Sequence, residues 1–251
     1  MKKEVLGIKI DDIDIDQAIE MVKGLLSKSG KHYVVTTNPE TIVMAQKESQ
    51  LKNIINNASL SIPDGVGLRL TTDVVCYTPG MDLMEELIKQ SSDYGFTIGF
   101  LGGEEGVAEK AAECLRKKYP KLKITFANSG GKVDSNGNVI ARSDSDEAIF
   151  YRKERLPRPF GVRNDEVVDI LFVAFGQPKQ EKWIAKNLSN IPVKVAIGVG
   201  GGLDYLSGKV PRAPKLLRRL GFEWLFRLIL QPWRIKRQLS LIKYLVLLMT
   251  S

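Results

Sequence analysis

His32-Tyr33-Val34-Val35-Thr36-Thr37-Asn38-Pro39-Glu40 reads as a β-strand that runs straight into a helix. The β-branched and aromatic residues suit a pleated, buried segment. Asn38 then supplies a helix-capping side chain, and Pro39 occupies the first turn, where its missing N–H costs nothing. The same succession of a short apolar run and an amphipathic stretch recurs along the chain. Strands are expected near Val5–Ile10, His32–Thr36, Leu60–Ile62, Thr97–Leu101, Leu122–Phe126, Ile170–Phe175 and Val193–Ile197, with helices between them. Asp14 or Asp16 can cap Gln17–Leu26. Ala108, Ala111, Ala112 and Leu115 give Val107–Lys118 one buried face. This alternation predicts an α/β fold, a mainly parallel sheet flanked by helices. The Gly-Gly, Asn-Gly and charged clusters from Ser129 to Glu166 predict a long mobile loop.

The chain has 251 residues, 43% of them hydrophobic and 26% charged, which is enough to bury one substantial core. Its basicity is local. From Lys209 to Ser251 there are ten Lys and Arg and one acid, Glu223, a formal +9, while the rest of the chain sums to −1. An α/β domain over 1–208 and a basic, amphipathic helical appendage over 209–251 are therefore expected. The appendage mixes its charges with Trp224, Phe226, Trp233 and the run Tyr244 to Met249. That mixture suits an anionic membrane surface, with nucleic acid as the rival partner. No run reaches the ~18 apolar residues a spanning helix needs, and the N-terminus carries no apolar export segment, so a cytoplasmic, peripheral position at the inner face of the membrane is expected. Cys76 and Cys114 are expected to be buried small hydrophobes. His32, the only histidine, precludes a His-rich metal site, confines any Ser-His triad to itself and is read as a plain strand residue. Asp12-Ile13-Asp14-Ile15-Asp16 has the D-x-D spacing of some cation sites, but its place before a helix points to capping.

Open parallel sheets bind ligands at the carboxyl ends of their strands, so the strand exits hold the candidate chemistry. At the first, Thr36 and Asn38 offer a hydroxyl and an amide that can grip a sugar, or Asn38 can simply cap. At Ile62-Pro63-Asp64-Gly65-Val66-Gly67, Asp64 is a candidate general base beside glycines that admit a ligand close to the backbone, or an Asp-Gly turn. Gly102 and Gly103 can turn N–H groups toward phosphates or merely shape a turn, since neither G-x-G-x-x-G nor a Walker lysine is present. The run Gly176 to Trp183 is a strand end rich in side-chain donors whose ligand the spacing does not name. The missing dinucleotide fingerprint argues against a nicotinamide-dependent oxidoreductase.

Taken in order, Thr36-x-Asn38-Pro39-Glu40, Ile62-Pro63-Asp64-Gly65-Val66-Gly67, Gly80-x-Asp82-Leu83, Gly102-Gly103-x-x-Gly106-Val107-Ala108-Glu109, Gly176-x-Pro178-Lys179-Gln180-Glu181-Lys182-Trp183, Gly198-Val199-Gly200-Gly201 and Ser207-Gly208-x-x-x-Arg212-Ala213-Pro214 resemble the WecG/TagA/CpsF glycosyltransferases, glycosyltransferase family 26. The tail blocks Arg218-Arg219-x-Gly221-x-Glu223-Trp224-x-x-Arg227 and Pro232-x-Arg234-x-x-Arg237 are similar too. The resemblance, strongest to the TagA-type N-acetylmannosaminyltransferases of wall teichoic acid synthesis, implies a Rossmann-like fold. It also implies an inverting transfer of N-acetylmannosamine from its UDP donor to the 4-hydroxyl of a polyprenyl-diphosphate-linked N-acetylglucosamine acceptor. It assigns Asp64 as base with Thr36 and Asn38 in the same pocket, and requires neither metal nor cofactor. It further implies sugar-nucleotide contacts at Gly65, Gly102, Gly103, Gln180, Gly200 and Gly201, with a helix-start role as the alternative for Gln180 and a tight strand-to-helix turn as the alternative for the Gly198–Gly202 run. Arg212, Arg227, Arg234 and Arg237 are expected to bind diphosphate in place of a cation, with Glu223 one helical turn away orienting Arg227. The appendage is expected to fold over the pocket with Trp224, Trp233 and the terminal leucines toward lipid. Two segments depart from the family pattern, between Gly67 and Gly80 and from Phe126 to Val168. They leave open another UDP-sugar donor, N-acetylmannosaminuronate or glucose. A non-enzymatic nucleotide- or nucleic-acid-binding protein and an assembly of identical copies also remain open.

Overall fold

Burial with a period of two sets the central layer. In Val168–Ala174, Ile170, Phe172 and Ala174 enter one apolar cluster while Leu171 and Val173 enter another. A strand that alternates between two buried faces must have helices on both sides. The computed structural model describes residues 1–140 and 167–250, without the side chains of residues 236–238. Residues 141–166, which make up much of the stretch expected to be a loop, lie outside the described residues.

The chain opens with Lys2–Val5 (β1) and Ile8–Asp11 (β2), then Ile15–Ser27 (α1), His32–Thr37 (β3), Pro39–Lys47 (α2), Ser49–Asn56 (α3), Leu60–Pro63 (β4), Val66–Thr71 (α4) and Gly80–Tyr94 (α5). It continues with Thr97–Gly102 (β5), Val107–Lys118 (α6), Lys123–Asn128 (β6), Lys132–Val133 (β7), Val139–Ile140 (β8), Val168–Ala174 (β9), Lys179–Asn187 (α7), Val193–Gly198 (β10) and Gly202–Leu206 (α8). The tail forms Lys215–Arg219 (α9), Glu223–Leu230 (α10), a 3-10 turn over Pro232–Arg234 and Ile235–Thr250 (α11).

Six strands form one sheet in the order β4-β3-β10-β9-β5-β6, with every pairing parallel. The expected α/β architecture is therefore present, and Pro63, Thr37, Gly198, Ala174, Gly102 and Asn128 leave the sheet along the same edge. Helices α1, α5, α6 and α8 supply the apolar cover of one face; α2, α3, α4, α7 and α11 supply it on the other. Local signals hold where expected. Asp14 accepts the N–H of Gln17 at 2.9 Å while Gln17 accepts the N–H of Asp14 at 3.1 Å, a reciprocal cap on α1. Asp12 instead takes the N–H of Cys76 at 2.8 Å and so tethers the segment ahead of α5.

Four expectations need correction. Val5–Ile10 is not one strand. Leu6 and Gly7, at φ 53° and 74°, make a two-residue turn that folds β1 onto β2 as an antiparallel hairpin outside the main sheet. Part of the expected loop is also structured, because β7 and β8 pair antiparallel. Cys114 is exposed and Cys76 half-buried, since the inward stripe of α6 is taken by Ala108, Ala111, Ala112 and Leu115.

The closing apolar run divides as well. Tyr244 is 0% exposed, clustered with Ile42, Leu68 and the β1–β2 hairpin, and Leu241, Leu247 and Leu248 pack on the same cluster. Ile242, Val246 and Met249 remain exposed. The terminal helix is thus part of the core on one face and apolar toward solvent on the other. Among the described residues, no helix is long and apolar enough to cross a membrane.

Candidate functional site

Asp64 leaves β4 half-buried, its N–H donating to Thr37 O at 2.8 Å and its Oδ1 accepting from Gly80 N at 3.3 Å. A side chain at Gly80 would bring a Cβ to 2.9 Å from Thr36 Cγ2 and 3.5 Å from Asp64 Oδ2, so this glycine lets the carboxylate and Thr36 share one corner. Thr36, 4% exposed, donates its hydroxyl to Gly198 O at 3.2 Å and thereby joins β3 to the glycine turn after β10. Tyr77 lies beside this corner. Burial, followed by the charges of Asp64, Glu223 and Asp82, pushes its hydroxyl well above the ordinary tyrosine range, so it stays protonated.

Asn38 works as the N-cap of α2, its Oδ1 accepting from Thr41 N at 3.0 Å. Its Nδ2 still reaches Gln177 Oε1 at 3.1 Å, and Gln177 Nε2 donates to Thr36 O at 2.8 Å. Asn38 is thus the helix cap that the sequence allowed, with the other end of its amide tied to Gln177. Gly65, at φ 102°, backs onto Asn38 and Pro39, where a Cβ would sit 3.5 Å from Asn38 Cβ.

Gln180 is 0% exposed, with Oε1 accepting the N–H of Gly200 at 2.9 Å and Nε2 donating to Glu181 Oε1 at 2.9 Å. Both ends of the amide are engaged by the chain, and Gln180 thus holds the Gly198–Gly202 turn from beneath. Glu181 is 1% exposed, its Oε2 has no hydrogen-bond partner, and burial pushes its carboxyl up to about 7. A carboxyl whose folded pKa exceeds its unfolded value holds its proton more tightly when folded. Glu181 therefore favours the folded state at low pH and loses that contribution as pH rises from its usual 4.5 through about 7. Glu181→Gln is expected to flatten this slope in urea unfolding followed across that range.

Beside the corner opens a cleft of about 920 Å³ lined by Gly103, Gly200, Gly201, Phe175, Asp204 and Trp233. Lys132, Lys179, Lys209, Arg227 and Arg234 also line it, against the acids Glu104 and Asp204. Such a surplus of cations suits an anionic ligand, and Phe175 and Trp233 offer ring surface. Gly102 does not line the cleft; a Cβ there would meet the Ala174 backbone at 2.7 Å, so it permits β5 and β9 to end in contact.

The expected arginines separate. Arg227 stacks over Tyr205 at 4.7 Å, donates to Asp204 Oδ2 at 3.1 Å, and lies against Gly201, where a Cβ would meet it. Arg234 reaches Gln231 Oε1 at 3.1 Å. Arg212 points elsewhere. Its guanidinium is held by Asp82, by Glu85 at 2.5 Å and by Glu223 at 3.3 Å, which clasps the tail to α5. Glu223 is therefore spent on Arg212, and Asp204 and Gln231 orient Arg227 in the role expected of Glu223. The side chain of Arg237 lies outside the described residues. Lys132, Lys179, Lys209 and Asp204 are cleft residues that sequence reasoning missed. Only Lys179 carried a signal, through its place in the Gly176–Trp183 block.

Among the described residues, no group of three or more His, Cys, Asp or Glu side chains is arranged to hold a metal ion. A one-edged parallel sheet with a carboxylate at one strand exit, glycine turns at others and a cation-lined cleft defines an α/β domain whose cleft suits a polar, anionic ligand. The chain belongs to the glycosyl transferase WecG/TagA/CpsF family, matching it over residues 3–251. It is 31% identical over 247 residues to the N-acetylglucosaminyldiphosphoundecaprenol N-acetyl-beta-D-mannosaminyltransferase of Staphylococcus aureus strain MRSA252, covering 96% of this chain and 89% of that protein. The protein of the same name from strain NCTC 8325 / PS 47 is 29% identical over the same span and coverage.

Proposed function

We propose that this glycosyltransferase moves N-acetylmannosamine from UDP-N-acetylmannosamine to the 4-hydroxyl of N-acetylglucosamine on a polyprenyl diphosphate, with inversion and with Asp64 as the general base. The observation that carries the reading is the juxtaposition of the Asp64–Thr36–Gly80 corner with the cation-lined cleft at one sheet edge. In this reaction the acceptor O–H gives its proton to Asp64 as its oxygen bonds to the anomeric carbon. The bond from that carbon to the diphosphate breaks on the opposite face, and UDP departs with the electron pair. Arg227 and Arg234 supply positive charge where the leaving group becomes more negative.

The deciding experiment measures UDP release from UDP-N-acetylmannosamine with a short-chain lipid-diphosphate N-acetylglucosamine acceptor in the presence of EDTA. Acceptor-dependent release is expected. No release on a supplied lipid surface, from folded protein, would overturn the proposal. A panel with UDP-N-acetylmannosaminuronate and UDP-glucose separates the alternative donors.

The lipid side of the proposal rests on the outward apolar residues of the basic tail, among them Leu216, Ile229 and Ile242. Ile229→Asp with Ile242→Asp is expected to weaken binding to anionic vesicles several-fold without loss of thermal stability, because both side chains are exposed. Unchanged sedimentation with such vesicles would remove this face from the membrane contact.

A further inference from the structure

The β7–β8 hairpin lies in the stretch where this chain departs from the family pattern, yet Lys132, Val133 and Ile140 form one wall of the cleft. Three lysines on α7 hold it there. Lys179 Nζ donates to Val133 O at 2.7 Å, Lys182 Nζ donates to Ser135 O at 2.7 Å, and Lys186 Nζ reaches Asn138 Oδ1. Their spacing of three and four residues puts all three on one face of the helix. Lys182 is only 4% exposed and also pairs with Glu48 at 2.5 Å, so the middle tie is anchored to the body of the protein. At the hairpin turn, Gly137 is buried at φ 80°, and a Cβ there would lie 2.7 Å from Trp183 N. The hairpin is thus seated on α7 in direct backbone contact.

The cations of this wall differ from two of the others in the cleft. Lys209 is paired with Glu104 and Arg227 with Asp204. Lys179 gives one of its three N–H groups to a neutral carbonyl, which leaves two donors, and it makes no ion pair among the described residues. Lys132 makes no ion pair among the described residues and projects from the hairpin's first strand. Two ammonium groups without an ion pair among the described residues, on a held wall that lines the cleft with the glycine turns at Gly103, Gly200 and Gly201, suit a ligand with adjacent negative oxygens.

We infer that the β7–β8 hairpin is a diphosphate-binding wall in which Lys132 and Lys179 contact the diphosphate, and Lys182 and Lys186 are positioning residues that hold the hairpin in place. This rests on the reading of the cleft as part of the transferase site. The same chemistry is present in the sugar nucleotide and in the lipid-linked acceptor, and the test separates them.

Calorimetric titration with UDP and with uridine is compared for wild type, Lys132→Ala and Lys179→Met, and KM and kcat are then measured for both substrates. Each contact variant is expected to weaken UDP binding about tenfold, the loss of one charge-assisted contact, with uridine binding unchanged. If UDP binding holds but KM for the lipid-diphosphate acceptor rises by that factor, the wall serves the acceptor's diphosphate. Lys186→Met is expected to raise KM for the same substrate with kcat kept, the split that separates positioning from a loss of folded protein. Wild-type turnover with neither UDP affinity nor either KM altered in Lys132→Ala and Lys179→Met would overturn the inference and leave the transferase proposal standing. Wild type that neither binds UDP nor turns over would overturn both.

Discussion

Asp64→Asn is expected to lower kcat at least ~10²-fold with KM for the sugar nucleotide unchanged, the loss typical of removing a general base. The replacement is close to isosteric, and its amide oxygen can still accept the Gly80 N–H that Asp64 Oδ1 accepts at 3.3 Å. The corner of Thr36, Gly80 and residue 64 therefore keeps its shape while the proton acceptor disappears. Nucleotide affinity is expected to survive because the cations and glycine turns that suit UDP lie in the adjoining cleft, which Asp64 does not line. Calorimetry with UDP alongside steady-state transfer separates the two effects. A loss of less than about tenfold in kcat would place proton removal on another group, substrate included.

Tyr244→Ala is expected to cost about 3–5 kcal/mol of stability, in the range for truncating a fully buried aromatic side chain. Tyr244 is 0% exposed and packs with Ile42 of α2, Leu68 of α4 and the β1–β2 hairpin, so its loss opens a cavity where four segments meet. Tyr244→Phe leaves the ring in place and removes only the contact in which the Thr71 hydroxyl lies 3.2 Å from the phenol oxygen, a cost of about 1 kcal/mol. Urea unfolding of the two variants distinguishes packing from that single polar contact. A loss below about 1 kcal/mol for the alanine variant would mean that α11 is not held in the core in solution. The expected loss also makes truncation before Lys209 a poor test of membrane binding, because it removes Tyr244 along with the exposed apolar face.

Much of the fold was legible because its signals are local. The run from His32 to Glu40 carries its strand, cap and first-turn proline within nine residues, and each does in the structure what its chemistry favours. Asp14 and Gln17 likewise form their cap within one turn. The β1–β2 hairpin was not legible, because Leu6 and Gly7 interrupt an apolar run too briefly to show as a break in its pattern.

The candidate site was legible at its strand exits and less so between them. A parallel sheet brings every strand exit to one edge, so Thr36, Asp64, Gly103 and Gly200 converge once the order of strands is known. Partner choice among charged groups does not follow from spacing in the same way. Glu223 stands one helical turn from Arg227 in sequence, yet it pairs with Arg212, which also reaches Asp82 and Glu85 on α5. Arg227 is instead met by Asp204, delivered by α8. The three lysines of α7 were visible as charges but not as ties, because their acceptors belong to a hairpin some forty-odd residues earlier.

The sequence by itself determined the α/β alternation, the helix caps, the glycines at the strand exits and membership of a glycosyltransferase family. All of these are written in residue order and short spacing. Only the tertiary structure decided that Tyr244 turns inward, that Arg212 clasps α5, that Gln180 supports the glycine turn, and that Lys132 and Lys179 enter the cleft. Periodicity states that a face is buried or a charge is present. What that face packs against, and which opposite charge it meets, depends on segments brought together only when the sheet closes its two helical layers around itself.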